Sequence, residues 1–460
     1  MLRGGTKDLT QGKPIRLILE FAITLLFGFL CQKLYNVVDT AIVGRMLGAN
    51  SLSAVGCTGP VNYLIIGFIN GICIGFTIPV AQRFGAGEYS DMRRNVQNGA
   101  RLSAAVGVLL GIVTGLLCPE IMRLMNTPEE ILDEAVTYIR IIFLAIPVTV
   151  LYNMASGILR ALGDSRTPVI FVILSSFLNV ALDLLMVGPL GMGVTGAAVA
   201  TVLSQLFSGL GCLAVLIRRF VVLKPTREEK RVDISMMGRL LAIGIPTGLQ
   251  YSFTAIGSIV LQYFVNGLGT VAVGAIATGI KISLFCTCAF DALEATIAAY
   301  TGQNVGAGRP ERVRTGLRCT LMVGAVYAVI IGILLWLFGG AFAGIFLRDT
   351  ETEMIEKTWQ FLRVSGTLYI FLLCTVVIRS CIQGMGYTWI SMLTGVVEMT
   401  FRVLVSAIMI PIFGYDAACF GHPTSWVFAT FFLIPCYFLC LKKLRAKAAG
   451  NQAVENLSGS

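Results

Sequence analysis

The chain has 460 residues, 56% of them hydrophobic and only 13% charged. A soluble domain is about a quarter charged, so one large water-soluble core is excluded and a polytopic membrane protein is implied. The formal net charge of +10 would suit a nucleic-acid partner, but the basic residues lie in short loops and alternate loops hold almost none, which excludes that reading.

In chain order, the apolar runs predict twelve transmembrane helices. They fall at about 15–43, 52–81, 96–118, 132–154, 168–188, 194–217, 239–266, 272–300, 317–339, 356–378, 389–412 and 418–441. Several are longer than a bilayer needs, so tilt or extension is expected. The opening "MLRGGTKDLTQGKP" is polar and basic, and the first apolar run is too long for a signal sequence, so no cleavable signal is expected. Arg3, Lys7, Lys13 and Arg16 precede the first span. Further basic clusters follow spans 2, 4, 6, 8 and 12, the richest being "RRFVVLKPTREEKR". The opposite loops offer only Arg45, Arg123 and Arg348. Both termini are therefore expected in the cytoplasm, and the protein in the plasma membrane.

The two halves repeat. "QRFGAGEYSDMRRNVQNG" (82–99) matches "GQNVGAGRPERVRTGLR" (302–318), and Gly163 and Gly386, like Arg140 and Arg363, keep an offset of 223. Six spans per half is an even number, so the halves share one orientation and are related by an axis along the membrane normal. The expected organisation is an all-α integral membrane protein with two pseudo-symmetric six-helix lobes. The N-lobe is expected over 1–217, a cytoplasmic linker over 218–238, and the C-lobe over 239–460. A substrate cavity between the lobes is expected.

The 13 cysteines lie mostly inside apolar runs, as Cys31, Cys73, Cys212 and Cys374 do, and read as small apolar fillers. Cys286 and Cys288 point in different directions on a predicted helix. His422 alone, without clustered Cys or carboxylates, is a poor metal site. No P-loop, HExxH or nucleophile–base set is visible, which argues against direct ATP coupling and against an enzyme.

The chemistry lies in ionisable groups within the spans. A charge at the bilayer centre costs about 2.5–3.5 kcal/mol on insertion scales, so it faces the bundle interior or a wet cavity. Asp39 interrupts the apolar run "NVVDTAIVG", with Tyr35 and Asn36 on its face. In span 5, Asn179 and Asp183 stand one turn apart, and in span 6 Thr201 offers a hydroxyl. Two carboxylates in one low-dielectric site need a proton or a bound cation between them. Carboxylate, amide and hydroxyl oxygens suit H⁺ or Na⁺. A hydrogen-bond network that only fixes the helices is the alternative. In the C-terminal half, Glu398 and Arg402 are four apart and read as a structural ion pair. Asp291 and Glu294 are three apart on span 8 and could reach a cavity, with Lys281 as the candidate partner.

The stretches "QKLYNVVDTAIVGRMLG", "FGAGEYSDMRR", "LRALGDSRTP", "NVALD" and "GVTGAAVAT", in that order and spacing, resemble the multidrug and toxic compound extrusion (MATE) family of secondary transporters. The resemblance covers nearly the whole chain and is closest to the DinF-like branch. It implies that Asp39, Asn179, Asp183 and Thr201, with Tyr35, form an N-lobe pocket for H⁺ or Na⁺. Those residues would be the metal ligands if Na⁺ is the coupling ion. Two features depart from related patterns. The glutamate and aspartate of the NorM-like C-lobe are replaced at about Thr254 and Cys374. The proline often found early in span 1 is missing from "FAITLLFGF", where Gly28 alone offers flexibility. The expected function is cation-coupled antiport, exporting amphipathic, often cationic, small molecules by alternating access. The protein is expected to act as a monomer in membrane lipid, with no cofactor besides the coupling ion. The other expectation weighed is a flippase for lipid-linked precursors or other amphiphiles. The acidic N-lobe centre and the twelve spans argue against it.

Overall fold

A computed structural model describes residues 7–125, 127–348 and 350–458. Among them every regular element is helical, with no strand. A bilayer leaves no water to satisfy stray backbone groups, and helices satisfy their own. In chain order the helices are α1 (Pro14–Leu47), α2 (Ala49–Cys57), α3 (Gly59–Gly85), α4 (Tyr89–Leu124), α5 (Glu129–Leu144), α6 (Ile146–Ala161), α7 (Arg166–Val187) and α8 (Gly193–Arg219). After a 3₁₀ turn at Val221–Leu223 come α9 (Ile234–Asn266), α10 (Thr270–Gly306), α11 (Pro310–Gly344), α12 (Thr352–Gly384) and α13 (Thr388–Leu404). A π turn at Val405–Met409 leads to α14 (Ile410–Phe413), α15 (Tyr415–Cys419) and α16 (Gly421–Ser458).

Ten spans among the described residues are long and apolar enough to cross a membrane on their own. The α5–α6 pair supplies another. The twelfth expected span, α9, has 33 residues, its apolar sequence interrupted by Thr247, Gln250, Tyr251, Thr254 and Ser258. The expected continuous span at 132–154 needs correction. The helix breaks at Ala145 and bends by 46°. Pro147 has no N–H for the Phe143 carbonyl, and its ring crowds that carbonyl.

The chain forms two units. The first comprises Met1–Asp8 and Phe27–Gly248, the second Leu9–Leu26 and Leu249–Ser460. This division differs from a boundary at the 218–238 linker, because α1 and α9 each contribute to both units.

In the first unit, α3 reaches α9 through glycine. A Cβ on Gly71 would lie 2.6 Å from the Thr247 carbonyl oxygen, and one on Gly75 would lie 2.6 Å from Gly244 Cα. Only glycine permits so close an approach. The segment before α9 is clamped onto the start of α4. Arg93 grips the buried Glu229 carboxylate through Nε and Nη2, both at 2.7 Å, while Asn98 Oδ1 accepts from Asp233 N. The Arg93 guanidinium, aided by donors from Thr226 and Ser90, holds the Glu229 carboxyl well below the usual carboxylate range. Arg101 donates to the Lys230 carbonyl. Basic residues read as topology signals thus also anchor this segment.

The second unit repeats the device. Leu9 N donates to Gln303 Oε1 at 2.8 Å, Arg309 Nη1 to the Thr10 carbonyl at 2.7 Å, and Arg312 Nη1 to the Gly12 carbonyl at 3.0 Å. The repeated segments around the two "GAG" sequences (82–99 and 302–318) therefore hold the chain segments that lead into α9 and α1. Gly163 and Gly386 recur for a related reason: both have positive φ, +86° and +95°. After Gly163, Asp164 caps α7, accepting from Arg166 N and Thr167 N at 3.0 Å each.

Candidate functional site

The first unit collects the acidic residues of α1 and α7. Gly28 brings these helices together, since a Cβ there would meet Val169 at 2.8 Å. Gly196 does the same for α8 against α7, where a Cβ would lie 3.1 Å from the Met186 backbone. Asp39 on α1 and Asp183 on α7 face each other within side-chain hydrogen-bonding reach. Asp183 and Asn179 are buried and Asp39 is half-buried. Asp39 Oδ1, both carboxylate oxygens of Asp183, and Oδ1 and Nδ2 of Asn179 have no hydrogen-bond partner in the protein. A carboxylate cannot donate to a carboxylate, so this pair closes only around a positive charge. Two like charges about 4 Å apart repel by on the order of 4 kcal/mol at an effective dielectric of 20.

Tyr35 lies close enough to feel both carboxylates. Tyr138 of α5 does too, and reading the sequence did not single it out. It resembles an ordinary apolar-face aromatic, and its spacing from Asp39 in the chain gives no signal. The Thr201 hydroxyl donates to the Ala197 carbonyl at 3.0 Å, leaving its oxygen as an acceptor. Asn36, expected on the face of Asp39, is exposed.

One turn from this polar layer sits an apolar one. Val43 is four residues after Asp39, Val187 four after Asp183, and Ala197 four before Thr201. The three are buried together, with Leu47, Val55 and Tyr138 against them. This layer packs beside the carboxylates on the side where α1 and α7 end and α8 begins.

The second unit holds a different arrangement. Glu294 of α10 accepts from Arg379 Nη2 at 3.1 Å and from Ser380 Oγ at 3.0 Å. Arg379 Nη1 donates to Glu398 Oε1 at 3.2 Å, and Arg402 Nη2 stands 3.7 Å from Glu398 Oε2. Two glutamates and two arginines thus balance in one largely buried chain, with Glu294 at its partly exposed end. Lys281 is not the partner of this group, contrary to expectation. It is exposed and roughly 15 Å along α10 from Asp291. The cation on Glu294 is Arg379, 85 positions away in sequence. Asp291 is half-buried, one turn before Glu294. Beside Thr254 the carboxylate is Glu398, which accepts from the Thr254 hydroxyl at 3.3 Å and is ion-paired to both arginines. Among the described residues no cluster of three or more His, Cys, Asp or Glu could hold a metal ion.

An all-helical, many-span membrane protein with a buried carboxylate pair and two sequence-related halves belongs to the class of membrane transporters, not enzymes. The MatE family model matches residues 25–185 and again 246–408, and the chain belongs to the MATE family. The two matches reproduce the internal repeat. Relatives include a "Probable multidrug resistance protein YoeA" of Bacillus subtilis, 28% identical over 342 residues, which are 73% of this chain and 74% of that protein. Another is the "Multidrug export protein MepA" of Staphylococcus aureus, 22% identical over 396 residues, 85% of this chain and 87% of that one. Among solved structures, an outward-facing MATE transporter of the MOP superfamily superposes with a TM-score of 0.88 at 22% identity, covering 95% of this chain and 98% of the other. A MOP superfamily transporter from Pyrococcus furiosus gives 0.89 at 22% identity, with the same coverage. At that identity the likeness is one of fold.

Proposed function

We propose that this MATE transporter exports amphipathic, often cationic, small molecules in exchange for H⁺ or Na⁺ bound between Asp39 and Asp183. The buried, unpartnered oxygens of Asp39, Asn179 and Asp183 carry this reading. They are hard donors that lack a positive charge, and Thr201 Oγ1 and the Tyr35 hydroxyl can complete the shell. The relatives named for multidrug resistance and export support the substrate class. The loop charges support cytoplasmic termini in a plasma membrane.

In the mechanism, the cation neutralises the pair and lowers the cost of one orientation. Its release leaves two carboxylates that repel, which favours the other. Moving a two-state equilibrium from 1:99 to 99:1 takes about 5.5 kcal/mol of differential affinity. Repulsion of the order given above covers most of that. One charge crossing 100 mV supplies about 2.3 kcal/mol, so exchange of one proton for one monovalent cation is indifferent to potential and runs on the pH gradient alone.

Asp39→Asn and Asp183→Asn should each lower efflux of a cationic dye from cells at least tenfold, at unchanged membrane abundance. Wild-type efflux in either variant refutes the reading.

A further inference from the structure

The second unit carries a groove unconnected with the acidic residues. It is a cavity of about 530 Å³ between α11 and α12, lined by Ala328, Gly332, Ile333, Trp336, Gly366 and Ile370, among others. The helices meet at its floor, where a Cβ on Gly332 would lie 2.9 Å from the Gly366 carbonyl. The rim faces lipid: Val329, Ile333, Trp336 and Leu337 are each more than half exposed. One turn beyond Gly366, toward the start of α12, stands Arg363. Its guanidinium carbon lies 3.4 Å from the Trp359 ring centre and 4.9 Å from that of Trp336. Both rings are fixed by their indole N–H groups, Trp336 donating to Thr367 Oγ1 at 3.2 Å and Trp359 to the Trp336 carbonyl at 3.1 Å.

Arg363 is half-buried, its Nε is buried without a partner, and no ion pair neutralises it among the described residues. That contrasts with Arg379 and Arg402 of the same unit, which are paired. Nor is the arrangement a by-product of the internal repeat. Arg140 stands at the position equivalent to Arg363, but the positions equivalent to Trp336 and Trp359 hold Gly115 and Val136. A fixed cation with free donors at one end of an apolar groove complements a molecule with an anionic head and a hydrocarbon tail. The Arg363 side chain reaches back over Trp359, near the start of the expected 356–378 span, where tryptophan side chains mark the approach to headgroup level.

We infer that the α11–α12 groove is a binding site for one acyl chain of an anionic phospholipid whose phosphate is held by Arg363. The volume lies within the range of small-molecule pockets. The cation over the tryptophan faces keeps its orientation while its N–H edge points at the phosphate.

The test uses the full-length protein in neutral detergent and native mass spectrometry with dioleoyl phosphatidylglycerol or phosphatidylcholine. The wild type should retain the anionic phosphatidylglycerol about fivefold better than phosphatidylcholine, the worth of one basic residue at an anionic surface. Arg363→Gln should bring the two lipids to parity. Ile333→Trp, at a lipid-facing position that leaves Arg363 untouched, should fill the groove and weaken binding of both lipids. Equal retention by the wild type, or a preference that survives Arg363→Gln, overturns the site. If Arg363→Gln does not fold, Ile333→Trp decides, and undiminished binding of phosphatidylglycerol overturns it.

Discussion

Replacing Arg379 by methionine removes the central cation of the second unit's buried chain. Arg379 is 6% exposed and bonds Glu294 through one nitrogen and Glu398 through the other. Without it, Arg402 at 3.7 Å is the remaining cation for Glu398, and Glu294 keeps only the Ser380 hydroxyl. One buried negative charge is then uncompensated, which costs about 3–5 kcal/mol. Glu294→Gln is milder, because Arg379 keeps Glu398 and the Glu294 side chain is 20% exposed. Loss of its charged hydrogen bonds costs about 1.5–3 kcal/mol. The double variant Arg379→Met/Glu294→Gln restores neutrality and should be more stable than Arg379→Met alone. With unfolding entropy of about 2.1 cal/mol/K per residue over a unit of roughly 200 residues, 1 kcal/mol shifts the midpoint by about 2 °C. Thermal unfolding in detergent, followed by circular dichroism, should show Arg379→Met falling by roughly 6–10 °C and the double variant recovering part of that. A fall under about 2 °C, or a double variant less stable than the sum of the singles, would refute the charge-balance reasoning.

Three further outcomes are expected. Gly71→Val forces a side chain into the α9 backbone and should cost at least 1–3 kcal/mol, read as a lowered unfolding midpoint, whereas Gly56→Ala, with open space around it, should leave the midpoint unchanged. Asp164→Ala removes the cap of α7 and should cost about 1–2 kcal/mol in the same assay. The Glu229 carboxyl is lowered on folding, so its stabilisation is fully present above the unfolded value near 4.3 and is lost as pH falls toward the folded one. The difference in midpoint between wild type and Glu229→Gln should therefore be flat from pH 5 to 8 and shrink below about pH 4.3. A difference that shrinks between pH 8 and 5 would contradict the Arg93 clamp.

The spans were legible because a bilayer demands long apolar helices, and charges inside them stand out. Asp39, and Asp183 with Asn179 one turn away, could be found that way, and the structure brings the two aspartates together. The repeat was legible as matched "GAG" sequences, but its purpose was not. Holding the segment before α1 in the second unit and the segment before α9 in the first is a long-range choice that no local pattern encodes. Arg379 escaped pairing with Glu294 for the same reason, and nearby Lys281 was the misleading candidate. Tyr138 looked like any apolar-face aromatic. The break at Ala145 was visible in principle, since Pro147 sits inside an otherwise continuous helical run.

The coupling role of the carboxylate pair is tested most directly by dye transport in everted vesicles, with proton and sodium gradients imposed one at a time. Wild-type vesicles should accumulate dye under one gradient and not the other, and Asp183→Asn vesicles should accumulate it under neither. Gradient-driven uptake by Asp183→Asn at the wild-type rate would show that the pair between α1 and α7 does not carry the coupling cation.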